Sequence, residues 1–475
     1  MTSWDPDLGL SELPPAEAVR VVRLVADRLA RRLAEEIEAR RLADDDADPG
    51  VPLERDVLGQ ELLIGEWIAE ELGSVSQARM QRGSSRLSDA TDGELRRRVV
   101  AELFAFGPLQ QWMDAPDVEE IDVNSHLHTW VSYVDGRHVY VGQLWSSSTE
   151  LVAFQKRIAL RMGTGEGRLD TASPQLTLQS ADGSRVVLVL GGPTEHGIST
   201  QPRIAIRRFV LPRLGIGALA DAGMFPSDLV GFFEAVVRTG FTVLVSGGPG
   251  AGKTTFLVEL CGLISPMERL ITAEKALLEL RLEDYPERHP NVVALHTRQA
   301  NSEGVGEVAV RSIVELTRRL NPDRVIVGEL VEDEALDMLD AASMCKRGSM
   351  ATIHAHRPEI ALTRLAYYVA KSNTKLPEYA VWNQIAGTID FVVHIDLVRN
   401  QGTGRPMRRV TSIREIAGLG EAGGVASTEL FGLDEGGQLV QRCAIEPGHA
   451  RQMVLAGFDP TRFVPTSVNG ARSWA

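Results

Sequence analysis

The sequence predicts an α/β fold in which a mostly parallel sheet is covered by helices, preceded by an α+β domain and a helical N-terminal region. Three observations predict it. Apolar residues recur at three- and four-residue spacing over residues 15–43. Apolar and polar residues alternate in strand-like runs between about 118 and 210. From 241 to about 415, apolar strands alternate with amphipathic helices, the order that builds a parallel sheet.

Length and composition suit a multidomain globular protein. The chain has 475 residues, of which 44% are hydrophobic and 24% charged, so a wholly disordered or collagen-like chain is excluded. At roughly 100–200 residues per domain, two to four domains are expected. We predict a helical region with a linker at 1–105, an α+β domain at 106–211, an α/β domain at 212–417, and a C-terminal extension without an assigned role at 418–475.

The N-terminal region is predicted to be a helical bundle without a chemical motif. The first helix covers 15–43 and ends at the acidic run 44–48. The second covers about 53–73, with Gly73 as its C-cap. Residues 74–90 are rich in Ser and Arg and are interpreted as a linker, and a third helix covers about 91–105.

Strand patterns dominate the next segment. They cover residues 121–124, 129–134, 185–190 and 203–209, with Asp135-Gly136 as a hairpin signal. A linker is predicted from Pro212 to Asp221, and a helix at about 227–238 leads into the next domain.

Charge and cysteine content narrow the functional classes. The net charge of −14 disfavours a protein that coats nucleic acid, because an acidic surface repels phosphates. Three cysteines without a CxxC pair disfavour a disulfide framework or a zinc site, and favour a reducing compartment. The first residues lack the features of a secretory signal, and no run approaches 18 apolar residues, so no direct membrane insertion is expected.

The strongest motif is a phosphate-binding loop. The run from 247 to 254 fits G-x-x-x-x-G-K-[ST] and lies between an apolar strand and the start of a helix. Its backbone amides and the helix N-terminus attract phosphate, Lys253 reaches the β- and γ-phosphates, and Thr254 binds Mg²⁺. We therefore predict ATP and Mg²⁺ as ligands. The predicted nucleotide-binding residues of this run are Gly247, Gly248, Pro249, Gly250, Ala251, Gly252, Lys253, Thr254 and Thr255.

Polar side chains end three further apolar strands. Glu329 ends the strand 323–328, as expected of a Walker B acid that meets Mg²⁺ or water. Glu274 ends the strand 270–273 and is followed by Glu279; either carboxylate could orient the attacking water. His354 ends the strand 349–353 and suits a γ-phosphate sensor. A metal pair of His354 with His356 is not favoured, because no third ligand is near.

Together these motifs identify a resemblance. The chain resembles the secretion-superfamily ATPases of type II and type IV secretion, and within them most the ATPases of tight-adherence (Flp) pilus assembly. The motifs that carry it in the second half of the chain are residues 246–255, 268–274, 301–307, 321–329 and 352–355. Upstream they are residues 106–109, 121–124, 182–185 and 206–209. The resemblance covers about residues 100–415.

The resemblance implies a RecA-like core and a ring-shaped homo-hexamer at the cytoplasmic face of the inner membrane, where ATP turnover drives a membrane platform protein. Residue by residue, it gives Lys253 and Thr254 the Walker A roles and Glu329 the Walker B role, with Thr254 and Glu329 at the metal. Glu274 takes the role of catalytic glutamate, and His354 that of a histidine-box residue. The arginines that would reach the phosphates from the N-terminal domain are Arg185, Arg207 and Arg208.

The sequence also departs from the family pattern around the nucleotide. Leu278 stands where an acid is expected, Val331 near the place of an arginine, and 344–346 where the histidine box usually opens. The first hypothesis is therefore an ATP-hydrolysing motor, and the alternative is a nucleotide-binding structural subunit with weak or no hydrolysis. A third, a DNA-handling motor, is disfavoured by the acidic charge and the lack of a basic and aromatic tract.

Overall fold

The computed structural model describes most of the chain, in two compact units, Met1–Val210 and Leu211–Ala475. The described residues are 12–43, 57–162, 168–192, 197–208, 215–275, 278–298, 305–331, 334–372, 376–399, 406–420 and 423–459. The acidic run 44–48, residues 301–304 of one family motif and Glu332 lie outside them.

Three helices open the first unit: α1 (Pro15–Ala43), α2 (Val57–Gln81) and α3 (Asp89–Phe104). Their apolar faces enclose a common core around Val25, Leu72 and Leu95. Each of these three residues is fully buried, so apolar burial stabilises the bundle. Ser88 caps α3, because its hydroxyl accepts from the amide of Thr91.

The predicted end of α2 at Gly73 is wrong. The helix continues for two more turns to Gln81, within the segment interpreted as a linker. The hydroxyl of Ser74 donates a hydrogen bond to the carbonyl of Glu71, and Arg79 forms an ion pair with Glu17 of α1. The left-handed glycine that ends the helix is Gly83 (φ 82°), where the amide of Ser84 bonds to the carbonyl of Arg79. A tertiary contact therefore overrides the local helix-ending signal of Gly73.

The rest of the first unit is a six-stranded antiparallel sheet in the order β3-β2-β1-β6-β5-β4. Its strands are β1 (Val118–Ser125), β2 (His128–Tyr133), β3 (His138–Gly142), β4 (Gln175–Gln179), β5 (Arg185–Val189) and β6 (Arg203–Arg207). The short α4 (Gln110–Asp114) precedes them, and α5 (Ser148–Met162) shares their apolar core around Ile121 and Ile204.

The second unit is built on a nine-stranded sheet in the order β15-β14-β13-β12-β7-β11-β10-β8-β9. Its strands are β7 (Val243–Gly247), β8 (Leu270–Glu274), β9 (Val292–His296), β10 (Arg324–Leu330), β11 (Met350–His354), β12 (Phe391–Arg399), β13 (Pro406–Leu419), β14 (Val425–Leu433) and β15 (Leu439–Gln441). From β12 to β9 the neighbours run parallel, and β13, β14 and β15 extend the sheet antiparallel.

Helices cover both faces of this sheet. They are α6 (Ile216–Asp221), α7 (Leu229–Thr239), α8 (Lys253–Cys261), α9 (Val310–Thr317), α10 (Glu334–Met344), α11 (Pro358–Lys371), α12 (Glu378–Thr388) and α13 (Pro447–Leu455). Successive residues of β7 join different cores: Val243 and Val245 pack with α7 and α8, and Leu244 packs with α9 to α12. This is the buried, two-faced pattern of a parallel strand.

The predicted α/β fold class is confirmed, with its mostly parallel sheet and helical N-terminal region. The linker predicted from Pro212 to Asp221 is partly wrong, because α6 occupies Ile216–Asp221 and buries Ile216 against α8. Within the described residues, the helices are all too short or too polar to cross a membrane.

Candidate nucleotide site

The phosphate-binding loop joins β7 to α8 at the centre of the large sheet. Gly250 (φ 69°) and Gly252 (φ 92°) adopt left-handed backbone that favours glycine. Position 247 requires glycine for another reason: a methyl group there would lie 2.3 Å from the carbonyl oxygen of Ile395. No side chain caps the N-terminus of α8, which starts at Lys253. The local sequence therefore leaves the first amides of α8 to bind an anion.

The phosphate loop and the three strand-end residues predicted from sequence, Glu274, Glu329 and His354, lie at one edge of the sheet, because parallel strands end on the same side. β7, β11, β10 and β8 are consecutive neighbours, and they end at the phosphate loop, His354, Leu330 and Glu274. Glu329 is the last residue but one of β10. The register pairs His354 directly with Gly247.

Lys253, His354 and Glu329 form a continuous chain of polar contacts. The Nζ of Lys253, a residue only 7% exposed, donates to His354 Nδ1 and to the carbonyl of Gly248, each at 3.0 Å. His354 Nε2 lies 2.5 Å from Glu329 Oε1. An ammonium can only donate, so Nδ1 of His354 accepts and Nε2 carries the proton that faces Glu329. The imidazole thus links Lys253 of the phosphate loop to the carboxylate of Glu329.

The charge on Glu329 follows from these contacts. The hydrogen bond from His354 lowers the pKa of Glu329 below its ordinary value, aided by the charge of Lys253 and opposed by partial burial. The carboxylate is therefore ionised near neutral pH, the form that binds a cation or accepts a proton.

The two glutamates of the next strand end have different surroundings. Glu274 is buried, and its Oε2 accepts from the amides of Glu279 at 2.7 Å and Leu280 at 2.9 Å. Gly328 of β10 makes room for it, because a methyl group there would lie 3.1 Å from Glu274 Cγ. Glu279 instead places Oε2 3.5 Å from the hydroxyl of Thr254. Glu274 thus holds the segment that brings Glu279 to the predicted metal ligand.

The donors present suit Mg²⁺. This ion prefers oxygen ligands and is usually held by one or two protein side chains together with nucleotide phosphates. The Thr254 hydroxyl has the Glu279 carboxylate beside it, and Glu329 adds an ionised carboxylate at the same sheet edge. Clusters of three or more His, Cys, Asp or Glu that could hold a metal alone do not occur in the part of the chain that the structure describes. A bound Mg²⁺ would therefore depend on the nucleotide for most of its ligands.

Sequence reasoning missed two residues, one that contacts the phosphate loop and one that contacts the residue before it. Arg408 of β13 donates from Nε to the carbonyl of Gly250 at 3.0 Å. His394 of β12 lies with Nδ1 2.9 Å from the hydroxyl of Ser246, the residue before the loop. They are 158 and 148 positions away from their partners. Only the strand pairing of β12 with β7 and β13 brings them there, and no local pattern signals it.

The three arginines predicted to reach phosphate all lie in the first unit. Arg185 and Arg207 are direct neighbours across β5 and β6, and Arg207 Nη1 is 3.9 Å from Glu120 Oε1. Arg208 instead donates from Nη1 to the carbonyls of Trp112 at 2.9 Å and of Ala115, and burial lowers its pKa. Arg208 thus fastens the chain between α4 and β1, while its role at phosphate stays a prediction, as it does for the other two.

Sequence comparison places this site in a known family. The family model described as type II/IV secretion system protein matches residues 168–424, over half of the chain. The chain belongs to this family. The match spans β4 to β13 and so includes the whole phosphate-loop edge. The resemblance inferred from the motifs is therefore confirmed at the level of type II/IV secretion, and the narrower likeness to tight-adherence pilus ATPases stays a prediction.

The chain is also similar to individual proteins. A putative conjugal transfer protein of Mycobacterium tuberculosis is 30% identical over 332 residues, which cover 69% of this chain and 89% of the relative. The type IV secretion system protein VirB11 of Brucella suis is 26% identical over 344 residues, covering 66% and 91%. The solved structure of the ATPase DotB of Legionella pneumophila covers 75% of this chain and 83% of its own, with 16% identity and a TM-score of 0.45.

Proposed function

We propose that this secretion-family protein is an ATP-hydrolysing motor that powers pilus assembly or protein secretion. The observation that carries the proposal is the contact chain from Lys253 through His354 to Glu329, which joins a phosphate-binding loop to an ionised carboxylate across three neighbouring strands. Such a chain connects the group that would bind the γ-phosphate to the group that would act beside it.

The proposed roles follow from the contacts of each side chain. Lys253 is now held by Gly248 and His354, and in the complex it would turn to the β- and γ-phosphates. His354, released from Lys253, would face the γ-phosphate. Thr254 would hold Mg²⁺, with Glu279 or Glu329 as the nearby carboxylate. Mg²⁺, when bound, would neutralise charge on the phosphate oxygens.

The carboxylate that orients the attacking water is proposed to be Glu329. Its low pKa keeps it ionised, and the Nε2 proton of His354 fixes its orientation. Glu274, the glutamate implied by the family resemblance, has its Oε2 engaged by two backbone amides, so its proposed part is to position Glu279. Hydrolysis then needs an in-line water, which attacks the γ-phosphorus as the bond to the β-phosphate breaks.

The machinery around the motor is proposed from the family and from the relatives. We propose a homo-hexamer at the cytoplasmic face of the inner membrane, acting on a platform protein of a tight-adherence pilus or a related secretion system. The relative described as a putative conjugal transfer protein supports work with a transfer apparatus. Arg185 and Arg207, direct neighbours across β5 and β6, are proposed to supply positive charge to the nucleotide.

A second candidate is a nucleotide-binding subunit with weak or no hydrolysis. It is favoured by the replaced residues around the loop: Leu278 in the acidic box, Val331 after the Walker B acid, and the segment 344–346. These replacements leave the loop and the Lys253–His354–Glu329 contacts in place, so they bear on turnover more than on binding.

Steady-state ATP hydrolysis and binding of a fluorescent ADP analogue would test both candidates. The motor predicts Mg²⁺-dependent turnover by the wild type, and loss of turnover with weaker binding in Lys253→Ala. Lys371→Ala, at an exposed lysine of α11, is the matched control and should behave as wild type. Binding without turnover in the wild type would favour the structural subunit, and normal turnover by Lys253→Ala would refute the site.

A further inference from the structure

A buried histidine lies beneath the phosphate loop, on a strand that contributes no residue to the predicted motifs. His394 is in β12, is 2% exposed, and pairs in register with Ser246 of β7. Its Nδ1 lies 2.9 Å from the Ser246 hydroxyl, and Ser246 is fully buried. The hydrogen bond therefore ties β12 to the last residue before the loop.

Burying an imidazole at this position lowers the stability of the fold unless its polar atoms are paired. The flanking residues Val393 and Ile395 are buried and apolar, as expected of a strand covered on both faces. A buried polar side chain costs stability unless it is hydrogen-bonded, and here the partner that meets it is Ser246. A leucine of similar size would avoid that cost. The position is thus better explained by what the imidazole holds than by its packing.

The same end of β12 also limits the first residue of the loop. The carbonyl of Ile395 lies against Gly247 so closely that a methyl group would come within 2.3 Å of it. Ser246 and Gly247 are therefore fixed by successive residues of one strand, the first through a side-chain hydrogen bond and the second through backbone contact. The loop starts from a point set by β12.

Burial favours the neutral form of His394, against the carboxylates nearby. Burial lowers its pKa, and Lys253 and His356 act in the same direction, while Asp396 and Glu359 oppose them. A neutral imidazole has one donor and one acceptor nitrogen, so it can hold a hydroxyl without adding a charge beside the phosphate site.

We propose that His394 is a positioning residue of the nucleotide site: through the Ser246 hydroxyl it sets the start of the phosphate loop in the orientation that binds nucleotide. The inference rests on the proposed nucleotide-binding function and deepens it. His394 does not touch the reacting atoms, so its effect falls on nucleotide affinity and leaves the chemical step almost unchanged.

A double-mutant cycle tests this role. In the full chain, His394→Leu and Ser246→Ala should each raise both the KM for ATP and the Kd for ADP about tenfold, the loss of roughly one hydrogen bond, with kcat within about twofold of wild type. The double variant should be no weaker than either single variant, because both remove the same contact. His394→Asn, whose amide can donate and accept near the place of Nδ1, should restore KM to within about threefold.

The outcomes of this cycle distinguish a positioning residue from a merely structural one. A merely structural histidine would lower the melting temperature without a separate effect on KM, would not be rescued by Asn, and would give additive effects with Ser246→Ala; any of these results overturns the proposal. If His394→Leu does not fold, Ser246→Ala tests the role by itself, because it removes the same hydrogen bond from its other partner; an unchanged KM in that variant overturns the proposal. Failure of the proposed function itself would look different, since the wild type would then not bind ADP and Lys253→Ala would change nothing.

Discussion

Glu329 illustrates how one carboxylate is prepared by its neighbours. The Nε2 proton of His354 orients it, and the same hydrogen bond lowers its pKa. Lys253 sits at the other side of the imidazole, so a change at any one of the three alters the other two.

Replacing Glu329 by Gln should leave nucleotide bound and slow its cleavage. The substitution keeps the shape and removes the charge, and loss of a positioned acid or base typically reduces the rate by about 10²–10⁴. Single-turnover hydrolysis with bound ATP measures the effect, with Glu435→Gln, at an exposed position in the turn between β14 and β15, as the control. If Glu329→Gln is as fast as wild type, the role passes to Glu279, the carboxylate beside Thr254.

The sequence predicted the residues that local patterns mark and missed those that strand pairing brings in. Lys253, Glu329 and His354 each end or follow an apolar strand, so their common edge follows from the parallel sheet alone. His394 and Arg408 reach the loop only through the register of β12 and β13, which no short window encodes. The prediction that α2 ends at Gly73 was wrong because the ion pair of Arg79 with Glu17 of α1, distant in sequence, stabilises the helix beyond that glycine.

At the scale of elements, a buried arginine connects the N-terminal end of β10 to neighbouring segments of the second unit. Arg324 begins β10, is fully buried, and donates from Nε to Glu268 at 2.6 Å. Its Nη2 donates to the carbonyl of Val237 near the end of α7 at 2.7 Å, and its Nη1 to that of Gly348 at 3.2 Å. One guanidinium thus satisfies carbonyls of two other segments at the edge of the sheet away from the nucleotide.

Arg324→Met should destabilise the second unit strongly, because it leaves Glu268 and two carbonyls without their donor. Breaking one partner of a buried ion pair costs about 3–5 kcal/mol. Chemical denaturation followed by circular dichroism measures the loss. The matched control is Arg347→Met, since Arg347 lies 3.8 Å from the same glutamate but is 47% exposed. Equal, small effects of both substitutions would contradict the role of Arg324.

The C-terminal helix α13 is fastened by a second histidine. His449 Nδ1 lies 2.7 Å from Glu415 of β13, and Nε2 lies 3.9 Å from Asp390, whose other oxygen accepts from the amide of Thr242. The hydrogen bond to Glu415 raises the pKa of His449 above its ordinary value, and Glu446 on its own helix adds to the effect. The segment beyond the family match is thereby tied to the start of β7.

This tether predicts a pH dependence with a definite sign. Because the folded pKa of His449 is raised, its contribution is complete below the unfolded pKa of about 6.5 and is lost as the pH rises through the folded value. The melting temperature of wild type should therefore exceed that of His449→Gln at pH 6, and the difference should shrink toward pH 9. Burial also raises the pKa of Asp390, but both proteins share that group. A difference that grows with pH would contradict the tether.

At the scale of the whole molecule, the proposed hexamer has a kinetic consequence. The Lys253 ammonium alone leaves charge on the γ-phosphate, and a second cation is proposed to come from Arg185 or Arg207 of the first unit. Specific ATPase activity should then rise steeply with protein concentration as rings form. A chain that starts near residue 212 should still bind nucleotide, because it keeps the loop and both cores of the second unit, but hydrolyse it poorly.

Analytical ultracentrifugation beside the turnover assay measures this dependence, and Arg203→Ala, an exposed arginine of the same strand as Arg207, serves as the control substitution for Arg207→Ala. Arg207→Ala should lower activity without changing the sedimentation of the complex. Full specific activity from monomers, or from the shortened chain, would show that the arginines are not part of the site.

The position of β7 between β11 and β12 also determines how fast its backbone amides exchange with solvent. Both edges of this strand are paired and both faces are buried, so its amides should be among the slowest in the second unit to exchange with deuterium. The loop that follows has glycine backbone and should exchange far sooner. In the proposed function, nucleotide would enter and leave through local opening at the end of a strand that itself stays closed, so that turnover would leave the folded core of the protein intact.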